Sequence, residues 1–89
     1  MADIDYDALN QFEIEARSGQ ADALYNLGLA YSTGQGAGGD YIAAHKWFNL
    51  AAMKGIDKAR TWRAQISHEM SVGQIAEAQR QAREWLFAC

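Results

Sequence analysis

The 89-residue sequence has no proline, a single cysteine and no apolar run approaching the ~18 residues that a membrane-spanning helix needs. Each absence excludes something. One cysteine rules out an internal disulfide framework, and Cys89, the last residue, reads as an unpaired thiol at a frayed end. The β-branched residues are scattered singly, so no stretch has the composition of a strand. The opening residues, MADIDYDALNQFEIEA, are acidic and lack the basic and apolar regions of a secretory leader, which makes cytoplasmic residence the expectation. With a net charge of −3, no global field would draw nucleic acid or an anionic membrane.

What is present favours helix. Hydrophobic residues are 49% of the chain against 21% charged, a globular balance, and Ala, Leu, Gln, Glu and Arg fill long stretches. The composition and length predict one all-α domain.

Five helices follow from the periodicity. Residues 5–18 place Leu9, Phe12 and Ala16 on one face, with Ile14 slightly off it. Asp3, Asp5 and Asp7 precede that helix or lie in its first turn, where carboxylates favour the positive end of the dipole. Read as a calcium loop, the same run has Ala8 in place of the turn glycine and Ile14 in place of the bidentate Glu. Gly19 punctuates the chain. The second helix, about 21–33, sets Leu24, Leu27, Gly28 and Tyr31 on a single face. A glycine at such a position costs about 1 kcal/mol of helix propensity, and a close helix–helix approach is its expected return.

Gly34 is placed to close that helix in a left-handed conformation, Gly36, Gly38 and Gly39 extend the turn, and Asp40 caps the next helix. This glycine cluster is no phosphate cradle. Asp40-Tyr41 stands where a Walker loop carries Lys and Ser/Thr, and no strand precedes it. The third helix, about 41–54, is broadly apolar through Tyr41, Ala44, Trp47, Phe48, Ala51 and Ala52, and Gly55 ends it. A fourth helix, about 57–70, presents Ala59, Trp62 or Arg63, Ile66 and Met70. Ser71 and Gln74 form a capping box before the fifth, which runs to Leu86 or Phe87 with Ile75, Ala78, Ala82 and Trp85 or Leu86 inward.

Catalytic and metal constellations are missing. His68-Glu69 has Val72 where a zincin helix carries its second histidine. His45 and His68 are separated by 23 residues, have no Cys or His near them, and are expected to be partly exposed helix residues. The serines lack a His–Asp accompaniment. No catalytic residue, metal or cofactor is expected.

Phe12, Ala16, Gly19 and Ala23 recur 36 residues later as Phe48, Ala52, Gly55 and Ala59, the mark of a helical repeat array near the tetratricopeptide length. Ala23, Leu27-Gly28, Tyr31, Gly34 and Gly36, followed by Asp40, Ala44, Trp47, Ala51-Ala52, Gly55 and Ala59, resemble a Sel-one-like repeat, a branch of the tetratricopeptide-like α-solenoids. One full repeat would cover residues 21–56. Residues 1–20 would be the closing helix of a degenerate preceding repeat. Residues 57–89 would be a degenerate pair with a C-terminal cap, since Arg63-Ala64 replaces Leu-Gly and Ser67 replaces Tyr.

The resemblance implies a short α-α superhelix of about five antiparallel helices, an adaptor or scaffold for other proteins without catalysis of its own. It implies a binding surface on the first helix of each pair, where Tyr25, Asn26, Leu29, Arg60 and Arg63 are the candidates. A small self-associating protein, a homo-oligomer joined through its exposed end repeats, is the alternative. Neither reading calls for nucleic acid or a membrane.

Overall fold

The structure, a computed structural model, describes residues 6–33 and 40–88. Five helices account for most of them: α1 (Tyr6–Arg17), α2 (Ala21–Thr33), α3 (Tyr41–Met53), α4 (Asp57–Ser67) and α5 (Val72–Ala88). No strand occurs among the described residues, and the all-α expectation holds. Asp3, Asp5, the glycine turn at Gly34, Gly36, Gly38 and Gly39, and Cys89 lie outside the described residues.

α3 is the hub. It packs against α2, α4 and α5, while α1 packs on α2. Buried positions on α3 run almost all the way round it: Ala44, His45, Trp47, Phe48, Leu50, Ala51 and Ala52. The two bulky neighbours divide the work. Trp47 meets Trp85 of α5 edge-on with ring centroids 4.7 Å apart, and Phe48 is stacked on Trp62 of α4 at 6.0 Å. Ala44, Ala51 and Ala52, three of the other buried positions, let the flanking helices come close.

The 36-residue repeat is a structural repeat. Gly19 and Gly55 have φ of 98° and 97°, a left-handed conformation that glycine adopts without a Cβ penalty. Each donates its N–H to the carbonyl three residues back, Ala16 and Ala52 respectively, at 3.0 Å in both turns. Gln20 and Ile56 then donate to Glu15 and Ala51 at 3.1 Å in both, which completes a Schellman closure. Ala23 and Ala59, one turn into the following helices, are both buried. Phe12 is half-buried where its counterpart Phe48 is fully enclosed, because α1 has one packed neighbour and α3 has three.

Capping follows the sequence. Asp40 accepts a hydrogen bond from the Ala43 N–H at 3.0 Å. Ser71 and Gln74 satisfy each other's backbone N–H groups, at 3.1 and 2.9 Å. α4 is shorter than its periodicity suggests and stops at Ser67. The Ser67 hydroxyl donates to the Arg63 carbonyl at 2.7 Å, and residues 68–70 close with bonds to the third residue back. Met70 still reaches the core from that turn.

His45 departs from its expected partial exposure. It is only 3% exposed, and its Nδ1 is buried with no hydrogen-bond partner among the described residues. Helices on three sides of α3 leave its position no route to solvent. Burial, with a smaller contribution from the nearby Arg63 charge, pushes the imidazole pKa below its ordinary value.

Candidate functional site

The five side chains proposed from sequence are in different situations. Tyr25 is half-buried: its ring packs 5.9 Å from that of Phe48, and its hydroxyl accepts a hydrogen bond from Trp62 Nε1 at 3.1 Å. It therefore joins α2, α3 and α4 in one aromatic layer. Asn26 and Leu29 are also half-buried, with Leu29 packed against the core. Arg63 donates to Asn49 Oδ1 at 2.6 Å, and Arg60 is exposed. Arg60 and Arg63 come together with Ala52 and Met53 around a shallow hollow of about 240 Å³, which Tyr25, Asn26 and Leu29 do not line.

A deeper cleft of about 460 Å³ lies where the C-terminal ends of α1, α3 and α5 converge. Its floor is buried and apolar, made by Ala16, Leu24 and Leu50. Trp85 lines it too, and Met53 and Leu86 stand at its mouth, 61% and 43% exposed. Arg17 and Lys54 are its two charged lining residues. Among the described residues no carboxylate, histidine, serine or cysteine lines it, so the cleft offers apolar surface and positive charge.

The helix ends supply these cations for a local reason: Arg17 is in the last turn of α1 and Lys54 is the C-cap of α3, where the dipole favours positive charge. The Arg17 guanidinium lies 4.7 Å from the Trp85 ring centroid, a cation–π contact that positions the charge without neutralising it. Lys46, which does not line the cleft, has its Nζ 4.2 Å from the Trp47 ring and 5.6 Å from that of Trp85. Burial lowers the Lys46 pKa and Arg17 lowers it further, while Glu13 and Glu84 oppose the shift. Ion pairing among the described residues is confined to Arg80 with Glu77 and Glu84 on α5, so neither Arg17 nor Lys54 has a carboxylate partner there.

Met53 borders both the cleft and the shallow hollow. Sequence reasoning found Arg60 and Arg63 but missed Arg17, Met53, Lys54 and Leu86. One signal was available, since Arg17 and Met53 occupy the same position of the 36-residue repeat. The cleft itself exists only because α5 packs on α3.

No group of three or more His, Cys, Asp or Glu side chains able to hold a metal occurs among the described residues. Nor is any described helix long and apolar enough to cross a membrane. A family model, the Sel1 repeat, matches residues 21–56, the span from α2 through α3 to the Gly55 closure. Searches of curated proteins and of solved structures returned no match. Sel1 repeats generally mediate protein–protein interaction and are non-catalytic. Residues 21–56 are thus similar to a Sel1 repeat, and the likeness is confined to that segment of the chain.

Proposed function

We propose that this chain is a non-catalytic protein-interaction module that receives a segment of a partner protein in the cleft at the ends of α1, α3 and α5. One observation carries the reading: an open apolar cleft, floored by Leu24 and Leu50 and entered past Met53 and Leu86, with no carboxylate, histidine, serine or cysteine among its described lining residues. A concave apolar site with a few polar groups at its edge is the usual form of a binding pocket. The domain organisation belongs to the same proposal. Residues 1–20 are the closing helix of a divergent repeat, supported by the shared Gly19 and Gly55 turns, and residues 57–89 are a divergent pair ending in a cap.

Selection of peptides from a displayed random library on the purified chain tests the reading. Met53→Glu and Leu86→Glu, both at the mouth, should abolish binding of the selected peptides while leaving helicity and melting temperature unchanged. Peptides that bind the variants as well as the parent would move the site elsewhere.

A second reading is supported by Val72 and Phe87, each 86% exposed on α5: self-association through the end of the stack. Sedimentation velocity over a concentration series separates the two. A dimer that Phe87→Glu dissociates favours self-assembly, and a monomer throughout removes it.

A further inference from the structure

Four of the eight cationic side chains in this net-negative protein surround one exposed apolar residue. Arg17 and Lys54 flank the deep cleft, Arg60 and Arg63 flank the shallow hollow, and Met53 forms the ridge between them. Among the described residues no Asp or Glu lines either depression. Arg17 is held by the Trp85 ring, and Arg63 gives a nitrogen to Asn49 while its guanidinium carries further donors. The surface is therefore positive on both sides of an apolar anchor point, and no described carboxylate forms an ion pair with these four cations.

From this arrangement the geometry points to the class of partner: an acidic amphipathic peptide segment, with one bulky apolar side chain seated in the cleft and carboxylates on both sides of it. The inference rests on the docking role proposed above and adds the charge of the ligand. Arginine's planar fork binds a carboxylate bidentately, so Arg60 and Arg63 set the register of the segment across Met53. Arg17 and Lys54 hold the residues flanking the anchor. Complementary charge of this kind acts chiefly on partner choice and association rate. An anionic lipid surface is the less suitable occupant, because the apolar floor of Ala16, Leu24 and Leu50 is recessed and would have to be reached by a protruding group.

The test uses the full chain and three labelled synthetic peptides in fluorescence anisotropy. All carry the same central leucine and phenylalanine, flanked by Glu and Asp, by Gln and Asn, or by Lys. The acidic peptide is expected to bind at least roughly tenfold more tightly than the uncharged one, the basic peptide not at all, and the advantage should shrink as salt screens the rim charges. Lys54→Glu/Arg60→Glu, two exposed changes, should reduce the acidic peptide's preference toward that of the uncharged one without altering the melting curve. Equal affinities for the acidic and uncharged peptides, lost together in Met53→Glu, would overturn the charge inference and leave the docking role standing. Binding of no peptide would remove both. Sedimentation with phosphatidylserine vesicles but not with phosphatidylcholine alone, abolished by Met53→Glu, would assign the surface to membrane instead. A monomer–dimer equilibrium abolished by the same substitution would assign it to a second copy.

Discussion

Gly28→Ala tests how closely α2 and α3 are packed. A Cβ built on Gly28 would stand 2.5 Å from Phe48 Cδ1, 2.6 Å from Cε1 and 2.9 Å from Cγ, all well inside van der Waals contact. Phe48 cannot step aside. Its Cγ is fixed close to the α3 backbone, and the ring is fully buried between Tyr25 at 5.9 Å and Trp62 at 6.0 Å. Overpacking costs ~1–3 kcal/mol, and three contacts under 3 Å to a ring that cannot move belong in the upper part of that range, about 2–3 kcal/mol, while the gain in helix propensity from Gly to Ala returns about 1 kcal/mol. The clash wins, and the expected net loss is about 1–2 kcal/mol. For a domain of this size that lowers the melting temperature by roughly 5–15 °C. Urea and thermal unfolding followed by far-ultraviolet circular dichroism measure it. Phe48→Leu supplies the internal control, because shrinking the ring should relieve the clash and give a coupling of ~1 kcal/mol in the double-mutant cycle. A Gly28→Ala protein as stable as the parent, with no coupling to Phe48, would refute the close approach.

Other positions give sharper or milder outcomes. Gly19→Ala and Gly55→Ala meet no atom within 4 Å, so only the left-handed backbone opposes them, and each should cost about 1 kcal/mol by the same unfolding assay. Ser71→Ala removes one half of the reciprocal cap of α5 and should cost ~0.5–2 kcal/mol, with the loss visible in the urea midpoint. His45 stays neutral in the folded state because burial lowers its pKa, while the unfolded chain takes up its proton below about pH 6.5. The unfolded state then binds more protons, so stability is full above that pH and declines as the pH falls from about 6.5 toward the lowered folded value. His45→Phe should flatten this slope, and an unchanged difference in urea midpoint between about pH 7.5 and pH 5.5 would count against it.

Much of the candidate site was out of reach of the sequence, while most of the local structure was not. Helix positions, the Asp40 cap, the Ser71–Gln74 box and the common turn at Gly19 and Gly55 all follow from residues within a few positions of one another. Short-range propensity, capping chemistry and the 3.6-residue period determine them, and these act along the chain. Tertiary packing decided the rest. The burial of His45 depends on three helices closing around α3. The Tyr25 hydroxyl accepts a hydrogen bond from Trp62, 37 residues away. The cleft, with Arg17 and Lys54 beside Leu86 and Trp85, required α5 to lie on α3 rather than elsewhere. Which face of a helix meets solvent, and which cations become neighbours, depends on what packs beside it, and periodicity within a single helix carries no record of that.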